Sequence, residues 1–381
     1  MDATLKAVTE LIAGPDVEAR CAALLVLTHL QAADDRVVRA VGQALHGKNA
    51  VVRDFAVGYF EHVRPREGVA YLVPLLDSHE EQLRERTVTI LVAYGAAAVS
   101  AVRPLLKEAP RRRLNGIIDL CARVRSSPAL DILFTLMASD DFDTNRAACD
   151  ALIATVPGLD AKVRGDLFDR TDHLAASAKG QRTAVVAAAK LFGTLGEAKA
   201  RRRLFDMLDK EEPHAVRTHA LGALVQCLRG QKLTTSEIET LLPLLDEDDE
   251  GGILRPAIQL LEDQVLDRGY LSQLNKLAES PQPVVKRFAV QKLGGFESSA
   301  VVKTLIGYLT DDSYARRDQA TASLKKLPAA RAALMKEFLD CTDERKAWTL
   351  ADVLLVPLPC RRFGRGARAP SPSAGSPPSP R

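Results

Sequence analysis

The sequence has few aromatic residues and no long apolar run near its start. Aromatic residues make up 5% of the 381 residues, whereas apolar residues make up 46%. A core therefore has to be built mainly from Leu, Val, Ile and Ala, which favours packed helices over a β-sandwich. The N-terminal stretch "MDATLKAVTE" has no basic segment of the kind that opens a signal peptide, and "CAALLVL" is too short to span a bilayer. The sequence predicts no transmembrane helix and a cytoplasmic location.

The sequence also lacks the residue patterns of common catalytic and metal sites. It has no GxGxxG, P-loop, HExxH or GxSxG motif. His29 and His62 hold equivalent places in adjacent repeats, but no third metal ligand is visible beside them. None of the six cysteines forms a CxxC pair, and all but Cys360 are placed by the pattern in apolar helical stretches, as reduced thiols. These absences predict a protein that is not an enzyme and that has no cofactor or metal.

The charge gives little sign of nucleic-acid binding. Five of the 52 basic residues and none of the 49 acidic residues fall in 357–381, so the rest of the chain has 47 basic and 49 acidic residues. This near-neutral body lacks the basic excess of a nucleic-acid-binding domain.

An internal repeat is the strongest feature that is present. "NAVVRDFAV" at 49–57 returns as "QPVVKRFAV" at 282–290, and a basic residue recurs at 29- to 38-residue steps. Eleven positions follow this spacing: Arg20, Arg53, Arg84, Arg113, Arg146, Arg182, Arg217, Arg255, Lys286, Arg316 and Arg345. Apolar residues lie at helical spacing on both sides of polar turns, so each unit reads as two helices.

The units resemble HEAT repeats, in the short form common in bacterial proteins and in phycobilin lyases. The resemblance rests on the "VR…A…AL" pattern at Arg53 and Arg217 and on equivalent first-helix prolines, Pro74, Pro104 and Pro243. It implies an all-α fold, a right-handed α-solenoid of about ten to eleven helix pairs over residues 1–356. A proline inside a helix removes a backbone donor, so we expect a kink at each of these three positions.

The recurrent basic residues have a structural interpretation. An arginine early in a second helix can donate to a turn aspartate or to a neighbouring carbonyl. We assign this role to Arg20, Arg53, Arg84, Arg146, Arg217, Lys286 and Arg316.

Two regions depart from the repeat. Residues 160–196 are irregular, and 229–237 lengthen one connection, where Thr234 or Thr235 is expected to cap the next helix. Residues 357–381 include seven prolines and predict a disordered Pro/Arg/Ser-rich tail. Because the switch falls mid-repeat, a truncation or a change of reading frame is one explanation, and a genuine flexible tail is the other.

The predicted function is a non-catalytic scaffold or adaptor that binds another protein through the solenoid surface. Residues 284–346 carry twelve basic against eight acidic residues, and Arg287, Lys292, Arg316 and Arg317 are the candidate partner-binding residues there. The alternatives are a phycobilin-lyase-type enzyme or a nucleic-acid-binding protein of the HEAT-like class. The partner's identity and the oligomeric state stay open.

Overall fold

Helices follow one another in pairs throughout the computed structural model, which describes residues 3–178, 181–228, 230–247 and 252–355. Within these ranges there are 22 α-helices, seven short 3-10 helices and no β-strand. The first helices of the pairs are α1 (Ala3–Leu11), α3 (Asp35–Leu45), α5 (Gly68–Leu72), α7 (Ala96–Val102), α9 (Ser127–Met137), α11 (Ala161–Ser177), α13 (Ala198–Asp206), α15 (Thr235–Leu241), α17 (Leu271–Ala278), α19 (Ser299–Gly307) and α21 (Arg331–Leu339). The second helices are α2 (Val17–His29), α4 (Ala50–His62), α6 (Glu81–Tyr94), α8 (Arg111–Val124), α10 (Phe142–Thr155), α12 (Arg182–Leu195), α14 (His214–Cys227), α16 (Leu254–Glu262), α18 (Pro283–Leu293), α20 (Tyr314–Lys326) and α22 (Glu344–Leu354). The prediction of an all-α solenoid of ten to eleven helix pairs is confirmed.

The helices group into two compact units. The first contains α1 to α16 and ends at Asp263, and the second starts at Gln264 and contains α17 to α22. The prediction that 1–356 forms one domain stays a prediction. The predicted tail, 357–381, lies outside the described residues.

The core of each repeat is formed by the apolar stripes that the sequence spacing indicates. In α4, Ala56, Tyr59 and Phe60 have no exposed surface, and in the next repeat Leu72 and Leu76 are equally buried. A helix pair of this size cannot cover both of its stripes by itself. Successive second helices therefore pack against each other from α2 to α16 within the first unit and from α18 to α22 within the second.

The three first-helix prolines change the helix type where they occur. Pro74, Pro104 and Pro243 each lie at the start of a 3-10 helix that continues α5, α7 and α15, respectively. A proline clashes with the preceding turn of an α-helix and donates no hydrogen bond, so the chain tightens at that point. At all three positions the structure shows a transition from α to 3-10 helix, and the predicted kink in helix direction stays a prediction.

Polar turn residues cap the second helices. The side chains of Asp16, Asn49 and Asp141 accept hydrogen bonds from backbone N–H groups in the first turns of α2, α4 and α10. Thr234 and Glu237 form a reciprocal capping box at α15, so of the two expected capping residues Thr234 is the one used.

The cysteines within the described ranges are free thiols. Cys21, Cys121 and Cys149 are buried, and two others are half-buried. Burial raises the pKa of Cys121 to about 12 and that of Cys149 to about 11, so both thiols are neutral at pH 7. The helical placement of Cys341 was wrong, because α21 ends at Leu339 and Cys341 lies in the following loop.

In the described ranges no single helix is long and apolar enough to cross a membrane. The segments Glu81–Tyr94 and Ala96–Leu105 reach that length and composition only together, across a bend of 119°.

Candidate functional site

The repeated basic residue occupies a fixed place, the fourth residue of the second helix. Six second helices carry a basic residue there: Arg20, Arg53, Arg84, Arg217, Lys286 and Arg317. Of the seven positions assigned a structural role, two are displaced from it, because Arg146 is the fifth residue of α10 and Arg316 is the third residue of α20. Four further positions of the predicted repeat are displaced as well: Arg113, Arg182, Arg255 and Arg345. Arg20 and Lys286 are half-buried at the fourth position.

In the first unit, the fourth-residue arginines hold the turns around them. Arg53 donates to the Glu80 carboxylate of the next repeat at 2.5 Å. Arg84 donates to the carbonyl oxygens of Ser78 and His79 at 2.7 and 3.2 Å. A guanidinium has five donors in one plane, so it can hold several acceptors of a turn at once.

The most enclosed of these contacts is made by Arg217. Its Nη2 atom donates to both carboxylate oxygens of Glu247 at 2.7 Å. The two side chains are 8% and 24% exposed, respectively, so this pair is shielded far more than a surface ion pair.

Three of the four candidate partner-binding residues are engaged inside the second unit. Arg317 donates to two carbonyl oxygens of the preceding turn, as Arg84 does, and Arg316 pairs with Glu279 at 2.7 Å. The Nζ atom of Lys292 donates to the carbonyl oxygen of Gln264 at 2.7 Å. Arg287 is exposed on the surface of α18. The assignment of these four residues to partner binding stays a prediction.

Two runs of three arginines, Arg111–Arg113 and Arg201–Arg203, contain side chains that pair with carboxylates of neighbouring helices. Arg111 pairs with Asp143 of α10, and Arg113 lies 3.6 Å from the Asp77 carboxylate. Arg201 donates to both carboxylate oxygens of Glu237. These side chains join adjacent repeats.

Three consecutive second helices have no basic residue at the fourth position. The residues there are Leu114 of α8, Asn145 of α10 and Val185 of α12. The helices α16 and α22 also lack a cation at the fourth position, where Ala257 and Ala347 stand. Asn145 is buried and its amide donates to the carbonyl oxygen of Met137. A short side chain at this place does not reach over the helix surface as an arginine does.

Two of these three helices, α10 and α12, line a groove together with α14. It has a volume of about 220 Å³. Its lining comes from one face of each helix: Phe142, Asn145, Arg146 and Cys149 of α10, Arg182, Thr183, Val186, Ala187 and Lys190 of α12, and Ala215 and His219 of α14. We call this the second-helix groove.

The floor of the groove is apolar. Phe142, which lines the groove, is 60% exposed. Val186 is half-buried and Ala187 is buried beside it. The buried thiol of Cys149 lies 3.6 Å from the carbonyl oxygen of Ala187 and is protonated at neutral pH, so it acts as a small apolar residue here.

The rim of the groove is basic. Arg182 and Lys190 of α12 have no carboxylate partner among the residues that the structure describes. Arg146 lies 3.8 Å from the Asp150 carboxylate in a pair whose side chains are 63% and 58% exposed, which is a weak interaction. The Nδ1 atom of His219 is 2.7 Å from the carbonyl oxygen of Ala215.

No group of three metal-ligating side chains occurs anywhere in the described ranges. The groove is smaller than the roughly 300–1,000 Å³ of typical small-molecule and cofactor sites. Its shape and chemistry suit one apolar side chain with acidic neighbours.

Sequence reasoning identified only Arg146 and Arg182 of this groove, and only as members of the repeat. Phe142, Val186 and Lys190 were missed because an exposed residue and a core residue share the same helical spacing. The fourth-residue cation is lost in α10 and α12, but it is also lost in α8, α16 and α22, so this signal alone does not locate the groove.

No protein-family model and no curated protein matches this chain. Among solved structures, the karyopherin Kap121p bound to Pho4p aligns with 92% of this chain and 43% of its own length, at 13% identity and a TM-score of 0.49. An engineered protein aligns with 93% of this chain and 98% of its own, at 15% identity and a TM-score of 0.28. A structure from work on the phosphorylation-controlled interaction between cadherin and beta-catenin aligns over 91% of both chains, at 13% identity and a TM-score of 0.37. This chain spans less than half of Kap121p, and the fold assignment rests on the helix pairs themselves.

Proposed function

We propose that this chain is a non-catalytic scaffold or adaptor that binds another protein on its second-helix surface. The observation that carries the proposal is the second-helix groove, lined by helices of three repeats. There apolar surface lies beside Arg182 and Lys190, which have no carboxylate partner among the described residues. Partner surfaces that bury an apolar side chain inside a polar rim are typical of protein interfaces.

The scaffold proposal extends to the family and the compartment. The fourth-residue cations and the proline transitions support a HEAT-like repeat of the short bacterial type. The free thiols of the described cysteines support a reducing compartment, the cytoplasm.

The second-helix groove is too small for the chromophore of the phycobilin-lyase alternative. A linear tetrapyrrole is larger than a drug fragment, and the groove offers about 220 Å³. The nucleic-acid alternative retains one supporting observation, the basic rim, and the experiment below includes it.

The test compares three forms of the full chain as bait in the native host. The groove variant carries Arg182→Glu and Lys190→Glu. The control carries Arg202→Glu and Lys210→Glu, which make the same charge change at exposed residues of the adjoining repeat, outside the groove. Co-purified protein and nucleic acid are quantified at low and moderate salt.

We expect a stoichiometric protein partner with the wild type and the control, and its loss with the groove variant. Charge reversal at Arg182 places an acid in the first turn of α12, which the helix dipole favours, so the groove variant is expected to stay folded. A partner retained equally by all three forms would show that the groove is not the contact. Nucleic acid captured in place of protein would contradict the scaffold proposal.

A further inference from the structure

Three groove residues are evenly spaced along α12. Arg182, Val186 and Lys190 are four residues apart and line the same groove. At 1.5 Å per residue the two cations stand about 12 Å apart along the helix, with the apolar side chain midway.

In an extended peptide, residues i and i+4 lie nearly as far apart as these two cations. Its residues i, i+2 and i+4 project to one side, and at about 3.3 Å per residue the outer two are about 13 Å apart. An acidic residue, an apolar residue and a second acidic residue at these three places therefore match Arg182, Val186 and Lys190 in order.

We propose that the second-helix groove recognises an extended, acidic segment of the partner protein with the pattern acid–any–apolar–any–acid. This inference rests on the proposed function and adds the chemistry of the partner. The central apolar side chain enters between Val186 and Phe142, and the flanking carboxylates pair with Arg182 and Lys190.

The electrostatics of α12 favour this assignment over a structural role for Arg182. A cation in the first turn of a helix faces the positive end of the helix dipole, so it destabilises the helix unless an anion lies beside it. In the described part of the chain Arg182 has no carboxylate partner, unlike Arg53 and Arg217. An acidic ligand supplies the missing anion.

The same surface suits a peptide better than a single-stranded nucleic acid. Non-specific binding of single strands combines a basic track with several aromatic side chains on which the bases stack. Among the lining residues only Phe142 and the imidazole of His219 have aromatic rings. The groove thus presents a single apolar contact between charges.

The test uses synthetic fluorescent peptides and the full chain in anisotropy titrations. The matching peptide has Glu-Ser-Leu-Ser-Glu at its centre. The matched control peptide has Ser-Glu-Leu-Glu-Ser, which keeps composition and net charge but turns both carboxylates away from the side that carries the leucine. A third probe is a single-stranded oligonucleotide of the same length.

We expect the matching peptide to bind about tenfold more tightly than the control, the scale of two exposed ion pairs. Arg182→Glu should remove this preference. A peptide with lysine in place of one glutamate should regain affinity for Arg182→Glu, while the Arg202→Glu protein should behave as wild type.

Equal affinity for the two peptides, or no binding of either up to about 1 mM, would overturn the acidic pattern. If the native partner is still lost in the groove variant, the scaffold proposal stands and only the pattern is wrong. Tighter binding of the oligonucleotide than of either peptide would overturn both.

Discussion

Removal of one hydroxyl from the core of the second repeat tests how this fold is held together. The side chain of Tyr59 has no exposed surface, and its hydroxyl donates a hydrogen bond to the buried carbonyl oxygen of Ala32, 27 residues earlier. Tyr59→Phe keeps the ring and its packing and takes away only the donor. The carbonyl is then left without this partner, which costs about 1–3 kcal/mol.

Tyr94→Phe is the matched control. The hydroxyl of Tyr94 is also buried, packed against Gly68, but it has no hydrogen-bond partner among the described residues. Removal of an unpaired buried hydroxyl relieves a desolvation cost, so we expect this variant to be as stable as wild type within about 0.5 kcal/mol, or more stable.

The assay is urea unfolding at pH 7 followed by circular dichroism, with hydrogen exchange of the α4 amides to locate the loss. Exchange is needed because a chain of repeats can unfold in parts, and a single transition then understates a local change. An equal loss in the two variants, or a change below about 0.5 kcal/mol for Tyr59→Phe, would refute the reasoning from hydrogen-bond pairing.

The same two variants have a pH signature. Burial raises the pKa of Tyr94 to about 12 and raises that of Tyr59 further above the ordinary value. Because both folded-state pKa values exceed those of the unfolded chain, the stabilisation is complete below about pH 10 and is lost as the pH rises. Between pH 10 and its folded-state pKa, each tyrosine lowers the free energy of unfolding by about 1.4 kcal/mol per pH unit. Each Phe variant should remove one such contribution.

Two further pairs of substitutions test the packing and the ion pairs. Gly193→Ala places a Cβ atom 2.7 Å from the Ala223 Cβ and 3.0 Å from its Cα, so α12 and α14 must separate; we expect a loss of about 1–3 kcal/mol in urea unfolding. Gly222→Ala, whose Cβ has open space, should instead stabilise α14 by about 0.5–1 kcal/mol, and a similar loss in both would contradict the packing argument. Arg217→Ala should cost about 2–4 kcal/mol and Arg53→Ala no more than about 1, because only the first pair is shielded from water. Thermal or urea unfolding distinguishes the two, and equal losses would show that burial does not set their strength.

Much of the fold was predictable because it depends on local chemistry. Pro74 and Pro243 change the helix type because a proline inside a helix lacks a backbone donor and clashes with the preceding turn. Thr234 and Glu237 form a cap from residues three apart. The helical spacing of Ala56, Tyr59 and Phe60 indicates a buried stripe without reference to any distant residue.

The candidate site was less predictable because it depends on which helix faces meet. Arg316 and Arg317 are adjacent in sequence, and repeat spacing alone does not decide which of them stands at the fourth helical residue. Nor does the spacing indicate that Phe142 is exposed, since its helix position is also compatible with burial. The groove depends on how the faces of α10, α12 and α14 meet, which only the assembled packing reveals.

The range of the ion pairs has a consequence for how the chain folds during synthesis. Arg86 donates to Glu61, 25 residues before it, and Arg170 donates to Asp131, 39 residues before it. Partners at such separations are both outside the ribosome once roughly two repeats have emerged. The entropic cost of bringing them together therefore arises during synthesis and not after the whole chain is complete. We expect the first repeats to fold while later ones are still being translated, each completed pair serving as a template for the next. Slow translation would then favour correct folding of this protein. Translation that stopped after a whole repeat would leave a folded fragment with one apolar face exposed.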